Sequence, residues 1–191
     1  MAASAPQNAR RPTAAELEAA THKILPDVLR ADLRVVFCGI NPSLYSAATG
    51  HHFARPGNRF WPALWRSGFT PRLLTPAEGA HLPDFGCGLT NVVARATARA
   101  DEITRDEIRR GGDLLAQKLQ RLRPRVVAFL GLGAYRTAFA APDAAVGPQR
   151  PIGATAVWAL PNPSGLNAHY QLDDFARLFG DLRRAAEDAH R

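Results

Sequence analysis

Apolar residues fall along this chain in two patterns: short uninterrupted blocks, and longer stretches with helical spacing. Val35, Val36 and Phe37 lie within Leu33 to Ser43 (LRVVFCGINPS) and meet no polar residue, which predicts a central strand buried on both faces. Arg125 to Gly131 (RVVAFLG) and Ala154 to Leu160 predict two further strands. Helical patterns surround these blocks. Thr13 and Glu16 have capping-box spacing, and Leu17, Ile24 and Leu25 follow as apolar positions, with Pro26 interrupting or ending the helix. Arg59 to Gly68 predicts a short helix with Phe60, Leu64 and Phe69 inward and Trp61 or Trp65 partly so; Thr75 to Asp84 predicts another. Thr104 and Glu107 open a longer helix with a stripe of Ile108, Leu115, Leu119 and Leu122, carried across Gly111-Gly112 and closed by Pro124. Ala134 to Ala140 and Leu172 to Ala186 complete the set, the last turning Leu172, Phe175, Leu178, Phe179 and Leu182 inward.

The intervening segments read differently. Leu44 to Gly57, with Gly50 and Pro56, predicts an irregular loop; Phe85 to Val93 is loop-like or a brief strand; a Pro/Gly loop follows Ala140. Strands alternating with helices predict an α/β fold, a three-layer α/β/α sandwich around a central, mainly parallel sheet. Residues 1–12 (MAASAPQNARRP) read as a disordered basic tail, leaving 13–191 as one domain.

Charge narrows the partners. The formal net charge is +7, and because Lys23 and Lys118 are the only lysines, 22 of the 24 basic residues are Arg. That balance favours a polyanion such as nucleic acid. Two cysteines, Cys38 in a strand and Cys87 in a loop, are too few for a zinc site or an iron–sulfur cluster and suit a reducing, cytoplasmic setting. No apolar run approaches the roughly 20 residues that span a bilayer, so no membrane partner is expected. Gly131-Leu132-Gly133 follows a strand, but Arg136 stands where a dinucleotide fingerprint needs its third Gly, and no phosphate-loop GK[ST] sequence occurs.

Candidate chemistry sits where strands end. Gly39 permits a sharp turn and Pro42 stops strand pairing, which presents Asn41 at a strand's carboxyl end, where open α/β sheets bind ligands. A plain turn would look the same. A second Asn-Pro-Ser, Asn162 to Ser164 in ALPNPSGLN, follows the apolar run of Val157, Trp158 and Leu160, so two such exits can face one cleft.

Together with Gly50-His51-His52-Phe53 and Pro56-Gly57-Asn58-Arg59-Phe60-Trp61, these segments resemble the mismatch-specific uracil/thymine-DNA glycosylase family, over roughly Leu33 to Arg184. The resemblance implies a monofunctional enzyme that works without a cofactor: it flips a damaged or mismatched pyrimidine from double-stranded DNA and hydrolyses the N-glycosidic bond as a monomer. It implies that Asn41 positions water and that the Phe53 ring stacks on the flipped base. Backbone groups of Ile40 and Phe53 would read the uracil edge, with Asn58 and Asn91 adding side-chain contacts. Asn91, in Leu-Thr-Asn, matches the thymine-DNA branch, whereas the bacterial branch commonly carries Lys there. Ser43 replaces a usual Gly, narrowing the pocket or hydrogen-bonding the water. Leu166 matches the wedge that enters the base stack, Ser164 would bind a phosphate, and Asn162 belongs to the same segment. Gly165 and Asn167 would contact the opposite base, and because Ala168 stands at a family Arg position, that contact weakens or moves to His169.

Residue by residue, blander readings stand beside these. Phe53 by composition is as readily an ordinary core ring, and Leu166 a packed loop leucine. Adjacent His51 and His52 do not converge on a metal and read as loop polarity or phosphate contacts. The competing functions are a noncatalytic damage- or mismatch-binding module, which lacks turnover, and a small-molecule hydrolase, which the basic balance and the Leu166 loop disfavour. The expected setting is cytoplasmic, on the nucleoid if the source is bacterial.

Overall fold

The computed structural model describes residues 10–188. Its sheet holds β1 (Val35–Gly39), β2 (Cys87–Asn91), β3 (Val126–Leu130), β4 (Gly147–Ile152) and β5 (Thr155–Leu160), in spatial order β2-β1-β3-β5-β4. β1, β2, β3 and β5 run parallel, and β4 lies antiparallel to β5 at one edge. The helices are α1 (Ala14–Glu18), α2 (Leu44–Thr49), α3 (Phe60–Arg66), α4 (Arg105–Leu122), α5 (Leu132–Ala138) and α6 (Leu172–Asp188).

A parallel sheet needs cover on both faces, and successive strand residues point to opposite faces. Val35 and Phe37 therefore join one cluster with Phe60, Leu64, Phe175 and Phe179 of α3 and α6. Val36 and Cys38 join another with Leu115 and Leu119 of α4 and Tyr135 of α5. This is the expected three-layer α/β/α sandwich. Phe37 lies at the centre of the first cluster, its ring 5.3 Å from those of Phe60 and Phe69 and 5.4 Å from that of Phe179. Truncating so enclosed a ring to Ala costs about 3–5 kcal/mol. On the other face, Gly111 and Gly112 let α4 approach closely: a Cβ at Gly111 would stand 2.2 Å from the Val92 carbonyl oxygen, and one at Gly112 2.8 Å from that of Ala138. The glycines inside the stripe are thus packing requirements. At the β4 edge, Pro148 and Pro151 remove donors and blunt further pairing.

Several local expectations need correction. The helix after Thr13 keeps its capping box but ends at Glu18 and buries no side chain; Ile24 is exposed, and Leu25 is buried beyond the helix. Five residues provide too few turns for an apolar face. Leu44 to Gly57 is not wholly irregular, because Ser43 caps α2, accepting the Ser46 amide at 3.2 Å, and Gly50 closes it at φ 75°. Thr75 to Asp84 is a 3-10 segment, Pro76–Phe85, with Pro83 inside it. Cys87 is not a loop residue but opens the buried strand β2. β4 runs through the expected Pro/Gly loop. Trp61 is buried, whereas Trp65 is largely exposed, and Leu122 is only partly buried. Of the expected tail, residues 1–9 lie outside the described residues; Arg10 to Pro12 have no regular secondary structure, and Arg10 pairs with Glu16. No described helix is long and apolar enough to cross a membrane.

Candidate active site

Because four strands run parallel, the segments leaving β1, β2, β3 and β5 emerge at one edge of the sheet. Those after β1, β2 and β5, together with Leu130 at the end of β3, line a cleft of about 710 Å³. Asn41, Ile40, Ser43, Phe53, Asn58, Asn91, Asn162, Ser164, Leu166, Asn167 and His169 all contribute to its wall; Gly165, Ala168 and His51 do not.

Asn41 is held on one side only. Its Nδ2 donates to Thr97 Oγ1 at 2.7 Å and lies 3.1 Å from the Pro42 carbonyl oxygen and 3.3 Å from that of Arg95. Carbonyls only accept, so the NH2 end must face them, which fixes the amide orientation. Oδ1 receives no hydrogen bond from a described side chain or backbone group and is left as an acceptor at the cleft. Arg95 is itself anchored, Nε to Glu107 Oε1 at 2.7 Å and Nη2 to Glu107 Oε2 at 3.0 Å. That guanidinium, with the Thr104 amide, holds the Glu107 carboxyl at about 2.

The pocket floor is the Gly39 backbone. A Cβ there would stand 2.5 Å from Asn91 Oδ1 and 3.4 Å from the Phe53 ring, so glycine leaves the space that these two groups flank. Phe53 adopts φ 53°, a left-handed conformation costly for an aromatic residue and held here by its surroundings. Its ring stacks on Phe60 with centroids 4.2 Å apart while also lining the cleft. The core and site readings of Phe53 are therefore compatible. The amide N–H groups of Ile40 and Phe53 make no hydrogen bond to a described residue, leaving two donors at the pocket.

His52 is buried at the cleft wall beside Asn91, and so little of it is exposed that it does not suit a phosphate contact. Its Nε2 lies 2.9 Å from the Pro26 carbonyl oxygen, so Nε2 carries the proton and Nδ1 is an acceptor, 3.5 Å from Asn91 Nδ2. Burial lowers the His52 pKa below its ordinary value and so favours the neutral ring. That long contact turns the Asn91 NH2 toward His52 and its Oδ1 toward Gly39. Ser43, expected to act in the pocket, has its hydroxyl engaged by α2: it accepts the Ser46 amide and lies 3.2 Å from Ser46 Oγ. Asn58 Oδ1 likewise accepts the Phe60 amide at 2.9 Å, starting α3.

The segment after β5 is a chain of side-chain turns. Asn162 Oδ1 accepts from Ser164 N at 3.0 Å, Ser164 Oγ from Leu166 N at 3.3 Å, and Asn167 Oδ1 from His169 N at 3.0 Å. Leu166 is 76% exposed at the cleft edge, so it is not a packed loop leucine.

Sequence reasoning missed the segment from Thr97 to Asp101, together with Ser46, Arg55 and Leu130, all of which line the cleft. The first follows β2, and with β2 unresolved as a strand its exit could not be counted. Both thiols are buried, which raises Cys38 far above its ordinary value and pushes Cys87 up to about 12, so neither is activated as a thiolate. Among the described residues, no cluster of three or more His, Cys, Asp or Glu could hold a metal ion.

A cleft at the carboxyl ends of a parallel sheet, lined by amides and one stacking ring, suits binding of a planar polar heterocycle. The sequence model of the Uracil DNA glycosylase superfamily matches residues 26–183, and the chain belongs to that superfamily. It is thus a hydrolase of the DNA glycosylase class, acting on uracil in DNA.

Proposed function

We propose that this protein is a monofunctional, mismatch-directed uracil-DNA glycosylase that opens base excision repair at G:U pairs. Its reach would extend to thymine or modified cytosine as far as the pocket admits their substituents. The observation that carries this reading is the Asn41 amide: with Nδ2 committed to Thr97 and two carbonyls, Oδ1 is available to accept a hydrogen bond from water at the cleft.

In the proposed reaction the base is extruded and stacks on Phe53, with the Ile40 and Phe53 amides and Asn91 at its edge. Asn58 lines the same pocket. The C1′–N1 bond breaks with its electron pair leaving on the base, the sugar takes oxocarbenium character, and water held by Asn41 adds to C1′. The proton that water loses neutralises the departing base or passes to solvent. A neutral amide is a weak base, so acceleration comes from placement and electrostatics. Leu166 enters the stack as the base leaves, offsetting part of the few kcal/mol of unstacking. Ser164 and His169 would meet the backbone, and Gly165 and Asn167 the opposite base. The protein would act as a monomer without a metal.

The test is a panel of duplexes carrying U:G, U:A, T:G and modified C:G pairs, scored for free base and for alkali-labile abasic sites. Release of uracil, faster from U:G than from U:A, is the expected result. Tight binding to mismatched DNA without release would identify a noncatalytic recognition module, and equal rates from U:G and U:A would remove the mismatch preference.

A further inference from the structure

Arg59 stands at the entrance to α3, away from the pocket lining, yet its side chain hydrogen-bonds along the segment that carries Leu166. Its Nη1 donates to the carbonyl oxygens of Asn167 at 2.9 Å and Tyr170 at 2.8 Å, and its Nη2 reaches that of Gly165 at 3.5 Å. Its backbone amide donates to the Pro163 carbonyl at 2.9 Å. Four carbonyls within eight residues thus turn inward onto one residue. No carboxylate pairs with Arg59 among the described residues, so the curled backbone is the partner of its charge, with the Phe175 ring 5.8 Å from its Cζ.

The packing shows the same tie. A Cβ at Gly165 would stand 2.9 Å from the Gly57 carbonyl oxygen, so the two segments touch backbone to backbone beside Arg59. Segment 163–170 contains no strand or helix, and Leu166 at its tip is exposed with little packing of its own. The inward pull on the carbonyls of residues 163, 165, 167 and 170 is what turns Leu166 outward. An apolar side chain can enter a base stack efficiently only if it is already held in place, because ordering the loop during flipping would subtract from the gain.

We infer that Arg59 is the positioning residue of the wedge: its guanidinium preorganises segment 163–170 and registers Leu166 against the cleft wall formed by Phe53 to Asn58. The inference rests on the wedge reading of Leu166. A planar fork with five donors suits several carbonyls at once, and a lysine ammonium, one point charge on a flexible stem, does not reproduce it.

The experiment uses the full chain as wild type, Arg59→Lys, Leu166→Ala and the double variant. Single-turnover excision is measured on a U:G duplex and on uracil in an unpaired bubble, alongside melting temperature and hydrogen exchange of the 163–170 amides. Arg59→Lys should lower duplex excision by about 10-fold and bubble excision by less than about 2-fold, with no further duplex loss when added to Leu166→Ala. Exchange within 163–170 should rise. Equal losses on both substrates, additive losses in the double variant, or unchanged exchange would overturn the inference. If Leu166→Ala slows the duplex reaction and Arg59→Lys does not, Arg59 alone loses its role. If Leu166→Ala leaves the duplex rate intact, the wedge reading fails and the inference with it.

Discussion

Thr97 Oγ1 lies 2.7 Å from Asn41 Nδ2 and 2.7 Å from the carbonyl oxygen of Arg99. The carbonyl can only accept, so the one hydroxyl proton goes to Arg99 and Thr97 meets Asn41 as an acceptor. The parallel bridge between Ser43 and Thr97 holds the two segments in that register. Asn41 is thereby oriented by the exit of a different strand, β2, from the one that carries it.

This arrangement makes Thr97 a positioning residue for the proposed water site. Thr97→Val, nearly the same shape without the acceptor, should slow excision by about 3–10-fold, the worth of one hydrogen bond. Thr97→Ser should restore most of the rate. The single-turnover rates of the two variants decide the matter, and a Val variant as fast as wild type would show that Asn41 needs no such support.

Leu166 is exposed, so truncating it removes little packing. Leu166→Ala should leave the melting temperature near that of wild type and weaken reaction on duplex by about 1–3 kcal/mol, with a much smaller effect on unpaired uracil. Comparing rates on the two DNA forms, together with a thermal melt, checks this. An equal loss on both with a lowered melting temperature would make Leu166 a structural residue.

His52 supplies a pH signature. Burial lowers its folded pKa below the ordinary 6.5, so above that pH the ring is neutral in both states and adds no pH dependence. As pH falls below 6.5 the unfolded chain takes up a proton that the folded site resists, and stability declines until the folded pKa is passed. The melting temperature of the wild type should therefore drop, relative to His52→Gln, on going from about pH 8 to about pH 5. A difference between the two proteins that stays constant over that range would contradict a buried neutral His52.

The layers of the fold were legible because their residues state them locally. Val35 to Phe37 and Val126 to Leu130 are apolar without interruption, and α4 and α6 are long enough for a periodic stripe. β2 was ambiguous because Gly88 and Thr90 dilute its apolar pattern. Gly88 is there for lack of room, since a Cβ would come 2.6 Å from Leu33 Cδ1. β4, with two prolines, carries the marks of a turn while serving as an edge. That Asn41, Phe53 and Leu166 come to one cleft was legible through short motifs. Thr97 and Arg59 were not assigned positioning roles, because their partners lie 56 and more than 100 residues away in sequence and nothing local marks them. Ser43 illustrates the reverse: it stands in the motif, but its hydroxyl serves α2.

The central claim is that Asn41 Oδ1 places the water that cleaves the glycosidic bond. It is tested most directly by single-turnover uracil excision from a U:G duplex with wild type and Asn41→Ala, with duplex affinity measured in parallel. The account predicts release of free uracil by the wild type, a rate lower by roughly 10²-fold or more in Asn41→Ala, and affinities that differ little. An Asn41→Ala protein that excises uracil as fast as wild type would contradict it.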